Sequence, residues 1–86
     1  MYLLRLYIAG QTAKAQKAIK DLEALLDEYC KGEYSFEIID IMENPQLATY
    51  DQIIVTPTII KLLPPPIARI TGEFNDKNRA KEALGL

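Results

Sequence analysis

The chain reads as an α/β domain, a mixed four-stranded sheet flanked by helices in the order β-α-β-α-β-β-α, and three observations carry that reading. An alternating apolar run at the N-terminus is followed by a long helical segment and a second strand-like run, the pattern of a β-α-β unit. Residues 56–74 hold two short apolar runs set off by a lone proline, Pro57, and by a triple proline, Pro64, Pro65 and Pro66, as two strands joined by a stiff turn would be. No internal repeat, low-complexity tract or long linker interrupts the 86 residues, so residues 1–86 read as a single domain.

The first strand is Tyr2 to Ala9, with Leu4, Leu6 and Ile8 on one face, Leu3, Arg5 and Tyr7 on the other, and Gly10 closing it. Thr12 is placed to cap a helix whose apolar positions Ala15, Ala18, Ile19, Leu22, Leu25, Leu26 and Tyr29 recur at helical spacing, with Gly32 as its left-handed stop. Tyr34 to Ile41 is the second strand, and so long an intervening helix suits a right-handed crossover between parallel strands. Asn44-Pro45 reads as a cap followed by proline at the first helical position, opening a short helix to about Tyr50 with Leu47 and Tyr50 facing inward. Thr58 to Leu63 and Ile67 to Thr71 form the third and fourth strands, Gly72 breaks the fourth, and Asn75 or Asp76 caps a last helix through Lys77, Ala80, Ala83 and Leu84. Thr56-Pro57 is a candidate cis corner, because a prolyl bond is cis at a cost of roughly 0.5–1 kcal/mol against about 2.5–4 kcal/mol elsewhere. This order, with a threonine-proline corner before the third strand, is that of thioredoxin-like domains.

Composition narrows the chemistry. Twelve acidic against ten basic residues, with no clustered basic face, argue against nucleic acid as a partner. No run approaches the roughly 18–20 apolar residues of a membrane span, and the N-terminal run is broken by Arg5, so it reads as a strand rather than a signal and places the chain in the cytoplasm. A redox enzyme of this order needs a thiolate at the start of the first helix, but Gly10-Gln11-Thr12-Ala13-Lys14-Ala15 has no cysteine. Cys30, the only cysteine, falls at the far end, where the helix dipole raises its pKa, and reads as a small filler. No histidine is present to serve a hydrolase or a zinc site. The acidic pairs Asp27 with Glu28 and Asp40 with Glu43 read as a solvated helix face and strand end, the four glycines are isolated, and no cofactor is implied. What remains is a binding module with five tyrosines, most of them capping a small core and one or two free for partner contacts.

Beyond these physical readings, several segments resemble the KaiB family of circadian clock proteins. They are Leu4-Arg5-Leu6-Tyr7-Ile8-Ala9-Gly10, Ile39-Asp40-Ile41, Glu43-Asn44-Pro45-Gln46-Leu47-Ala48, Thr56-Pro57-Thr58, Lys61-Leu62-Leu63-Pro64-Pro65-Pro66-Ile67 and Arg69-Ile70-Thr71-Gly72, which cover almost the whole chain in order. The resemblance implies a non-enzymatic regulator that docks on the ring-shaped ATPase KaiC, and a chain that is a monomer or weak homo-oligomer. The alternative is a thioredoxin-like sensory or adaptor domain related to the N-terminal domain of a clock-output histidine kinase, which lacks the triple proline; such a sensor kinase is also a candidate partner.

The resemblance further implies a docking surface of Gln46, Leu47, Gln52, Ile53 and Ile54 with Lys17 on the first helix. Gln52 stands where lysine is common, and Glu37 replaces a basic residue on the strand edge used for KaiA, so KaiA is not expected among the partners. Members of the family exchange between a thioredoxin-like second half that binds KaiC and a rearranged one that forms tetramers, with Pro64, Pro65, Pro66, Ala83 and Gly85 lying in the switchable half. Ala83 stands where glycine is typical, which favours helix by roughly 1 kcal/mol, about fivefold in a two-state ratio. With the chain ending at Leu86 instead of in an acidic tail, the thioredoxin-like form is expected to dominate.

Overall fold

Alternation of apolar residues along the N-terminal run makes it the central strand, covered on both faces. In the computed structural model, which describes residues 1–72, 74 and 76–86, β1 spans Tyr2–Ile8 and α1 Ala13–Tyr29, followed by β2 (Tyr34–Asp40), α2 (Pro45–Tyr50), β3 (Thr58–Leu63), β4 (Ala68–Thr71) and α3 (Lys77–Leu84). The sheet order is β2-β1-β3-β4. β1 runs parallel to β2, in the register Leu4 to Phe36 and Leu6 to Ile38, and antiparallel to β3, which is antiparallel to β4. The sequence order and the mixed sheet are therefore those expected.

Because successive strand residues point to opposite faces, β1 divides the apolar residues into two clusters. Leu4, Leu6 and Ile8 pack with Ala15, Ala18, Leu22, Leu25 and Leu26 of α1, Ile59 of β3 and Ala80 and Leu84 of α3. Tyr7 faces the other way, with Ile39, Ile60 and Ala48 of α2, joined by the half-buried Leu47 and Ile53. Thus α1 and α3 cover one face of the sheet and α2 the other.

The helix starts are set by short polar side chains. Thr12 is extended and its Oγ1 accepts from the Ala15 amide at 3.0 Å, and Asp76 does the same for the Arg79 amide of α3 at 3.2 Å. The alternative cap, Asn75, lies outside the described residues. Thr12→Ala leaves that first-turn amide without its acceptor and is expected to lower stability by about 1 kcal/mol, read as a lower midpoint in urea with an unchanged slope.

Several boundaries differ from the sequence expectation. β1 stops at Ile8, leaving Ala9 exposed, β2 stops at Asp40, and Ile67 stays outside β4 and is exposed. At the end of α1 the first left-handed residue is Lys31 (φ 49°), not Gly32, which follows at φ 81°. Asn44 precedes α2 without capping it through its side chain; its Nδ2 donates instead to the Asp40 carbonyl at 3.2 Å. Tyr50, expected inward, is 81% exposed. Six residues make less than two full turns, and Leu47 and Ala48 already occupy the single face that α2 can turn to the sheet.

Candidate functional site

The site is built around the connection from α2 to β3. The Thr56–Pro57 peptide bond is cis, as are Leu63–Pro64 and Pro65–Pro66 in the turn between β3 and β4. Pro57 is buried, and the Thr58 hydroxyl donates to the Val55 carbonyl at 2.6 Å, which closes the corner on itself. Between the corner and the start of α1 lies a pocket of about 190 Å³ lined by Ile8, Ala9, Thr12, Lys14, Ala15, Thr56 and Pro57. Thr12 is engaged as the helix cap, and no thiol reaches this place. Cys30 is buried at the opposite end of α1, where burial pushes its thiol pKa up.

Of the residues expected at a docking surface, five lie on α2 and the segment that follows it, and one, Lys17, lies on α1. Gln46 and Leu47 belong to α2 and line a hollow of about 380 Å³ with Glu43, Asn44 and Pro45. Gln52, Ile53 and Ile54 follow directly on the way to the corner. Ile53 packs against the cluster of Tyr7, Ile39, Ala48 and Ile60, whereas Ile54 is 93% exposed and Val55 stands half out beside it. Lys17 lies on α1, across the sheet, where it is exposed and meets Asp21 at 2.8 Å. Tyr50, at the end of α2, is exposed as well, so the stretch from α2 to the cis corner exposes three large side chains, Tyr50, Ile54 and Val55.

An ionic network fastens this segment to the sheet. Arg5 of β1 meets Glu37 of β2 at 2.7 Å and Asp51 at 3.1 Å, and the Tyr7 hydroxyl donates to the same Asp51 Oδ2. These partners hold the Arg5 guanidinium above its ordinary pKa, the bond to Glu37 contributing most. Burial, and then the bond to Asp51, push the Tyr7 hydroxyl up from 10 to about 12. A phenol that holds its proton more tightly in the folded chain stabilises the fold at every pH below its unfolded value and loses that stabilisation as pH rises through the folded one. Wild-type stability should therefore fall by on the order of 2–3 kcal/mol between about pH 10 and 12 more than that of Tyr7→Phe, as urea denaturation of both proteins across that range will read. The convergence of Arg5, Glu37, Tyr7 and Asp51 was not expected from the sequence.

The acidic pairs divide between surface and structural duty. Asp40 is more than a solvated strand end: its Oδ1 accepts from the Gly10 amide at 3.0 Å and the Met42 amide at 2.9 Å, tying the end of β2 to the turn after β1. Asp27 accepts from the Tyr34 hydroxyl at 2.6 Å, which raises the phenol's pKa, and Glu28 meets Lys77 at 3.5 Å. Among the described residues no group of acidic or cysteine side chains is placed to hold a metal ion, and no helix is long and apolar enough to cross a membrane.

The sheet order, the cis corner and the thiol-free start of α1 define a thioredoxin-like domain. The chain belongs to the KaiB family, whose KaiB domain matches residues 5–86. It is 45% identical over 85 residues to the circadian clock oscillator protein KaiB of Synechococcus sp. (strain CC9311), covering 99% of this chain and 71% of that protein. Against the same-named protein of Thermosynechococcus vestitus the identity is 46%, with 99% and 77% covered. In structure it is similar to the N-terminal domain of SasA from Synechococcus elongatus, with a TM-score of 0.79 at 23% identity, covering 98% of this chain and 83% of that one. It is similar also to chloroplastic thioredoxin z, with a TM-score of 0.76 at 24% identity and 99% and 76% covered. These structural likenesses speak for the fold, and the sequence relatives for a clock regulator of KaiB type.

Proposed function

We propose that the chain is a non-enzymatic regulator that docks on a KaiC-type ATPase ring in a clock or related timing system, through Gln46, Leu47, Gln52, Ile53 and Ile54. The observation that carries this reading is the ridge of Tyr50, Ile54 and Val55, exposed on a backbone held between the sheet and the cis corner in a member of the KaiB family. Apolar side chains displayed on a fixed backbone suit the centre of a protein interface, which is poor in charge. Lys17, on the far side of the sheet, stands apart from this surface and makes at most a separate contact.

The thioredoxin-like arrangement is the docking form in this reading, and the end of α3 is built for it. Ala83 sits in its last turn, and Gly85 closes it at φ 69°, a left-handed conformation that glycine adopts without penalty. The chain works without cofactor or catalysis, in the cytoplasm, as a monomer or weak homo-oligomer, and without KaiA. The second reading, a sensory or adaptor domain of clock-kinase type, is favoured by the likeness to the SasA domain and opposed by the triple proline.

Gel filtration of the chain with a purified KaiC-type ring, with and without ATP, tests the proposal. A co-eluting complex is expected after long incubation; its absence under both conditions sinks the docking reading. Turnover assays with dithiol and glutathione substrates should be null, and measurable turnover would overturn the non-enzymatic reading.

A further inference from the structure

Residues 51–57 between α2 and β3 lie outside helix and strand, yet their backbone is gripped at two consecutive carbonyls. Arg69, on the edge strand β4, donates from Nη2 to the Asp51 carbonyl at 2.6 Å and from Nη1 to the Gln52 carbonyl at 3.4 Å. The Asp51 carboxylate receives Arg5 and Tyr7 of β1, and Arg5 is steadied by Glu37 of β2. Side chains from two strands, β1 and β4, thus close on one two-residue step, where Gln52 is held at φ 55°, in the left-handed region that non-glycine residues seldom enter.

Core packing does not account for this arrangement, because only Ile53 of the segment reaches the apolar cluster, while the next two residues point away from it. The bonds are charge-assisted, and those of Arg5 and Tyr7 to the Asp51 carboxylate are half-buried and hold more firmly than exposed pairs, while the two Arg69 bonds lie at the surface. These bonds at 51 and 52 and the bond from the Thr58 hydroxyl to the Val55 carbonyl bracket Ile54 and Val55 from both sides.

We propose that Arg5, Tyr7, Asp51 and Arg69 are positioning residues that fix the Ile54–Val55 ridge before a partner arrives, so that its ordering entropy is not lost on binding. The identity of the partner rests on the docking reading above, but the fixing of the ridge is a property of the free chain and can be measured there.

Arg69→Met is the cleanest test, because the side chain is exposed and its removal touches neither apolar cluster. Amide exchange in the free protein should quicken at least about tenfold at Asp51, Gln52 and Ile53, whose amides bond to Leu47, Thr49 and Ala48, while β1 keeps its protection. Backbone order parameters at Ile54 and Val55 should drop from the rigid value of about 0.85 to below about 0.6. Affinity for a purified KaiC-type ring should fall about tenfold, the usual scale for a lost charge-assisted bond. Arg69→Lys, which can still reach one carbonyl, should recover part of each change, and Asp51→Asn should give a smaller change in the same direction.

Wild-type exchange, order parameters and affinity in Arg69→Met would overturn the proposal. Equal loss of protection throughout β1 would overturn it too, by showing a merely structural role. If the unaltered chain does not bind the ring, the docking reading falls, and the exchange and order-parameter changes still decide whether these residues fix the ridge.

Discussion

Ile54→Asp is expected to weaken binding to a KaiC-type ring by at least about 30-fold while leaving the stability of the free chain within about 0.5 kcal/mol. The two halves of this expectation have one cause. Ile54 is 93% exposed in the free protein, so the fold does not depend on its side chain, and an aspartate there stays hydrated. At an interface the same side chain would be taken out of water. Burying an isoleucine contributes about 1.5–3 kcal/mol, and an aspartate in its place would bring an unpaired charge into the contact instead. Together these exceed about 2 kcal/mol, the level at which an interface residue dominates binding. Tyr50→Ala, at the margin of the ridge, should cost less. The checks are a binding titration and urea denaturation of the same preparation; wild-type affinity in Ile54→Asp would remove this ridge from the docking surface, and a large loss of stability would show that the side chain serves the fold.

Much of this architecture is legible in the sequence because it depends on local rules. The period-two alternation of Leu4, Leu6 and Ile8 and the helical spacing from Ala15 to Leu26 name their buried faces outright, and Thr12, Pro45 and Asp76 mark helix starts by chemistry that acts within four residues. The grip on Asp51 was not legible, for the opposite reason. Its members are 32 to 46 positions from their partners on β1 and β2, and nothing in Arg5, Glu37 or Asp51 taken singly distinguishes a paired charge from a solvated one. Only the register that sets Arg5 beside Glu37, and the short α2 that brings Asp51 over β1, makes them meet. Tyr50 failed for want of length: six helical residues offer too few turns for periodicity to say which aromatic points inward. The proposed docking segment rests on resemblance, and the exposure of Ile54 and Val55 within it came from the fold.

Lys61→Glu should be the most damaging single substitution on the strand framework, with an expected loss of about 3–5 kcal/mol, the scale of breaking a buried charge arrangement. Lys61 stands in the middle of β3, paired with Leu4 on one side and Ala68 on the other, on the same face as Ile59 and therefore under α1 and α3. Only 3% of it is exposed, a rare condition for lysine. Its ammonium lies 3.3 Å from where a Cβ would stand on Gly85, the residue that closes α3, and so at the negative end of that helix's dipole. The stem fills the apolar space between the strands and the helix, as long basic side chains do when only the head group reaches a polar place. Glutamate would set a negative charge against the same carbonyl end, with no room at Gly85 to move away. Lys61→Met separates the two contributions: it keeps the packing of the stem and loses only the charge at the helix end, worth about 0.3–1 kcal/mol. The expected order in urea midpoint is wild type, then Lys61→Met, then Lys61→Glu far below. In a chain whose whole stability is on the order of 4–13 kcal/mol, the glutamate variant should be partly unfolded when warmed to temperatures the other two withstand. Equal midpoints for the methionine and glutamate variants would show that Lys61 acts through packing alone, and that the end of α3 is held by the left-handed Gly85 without help from the charge beneath it.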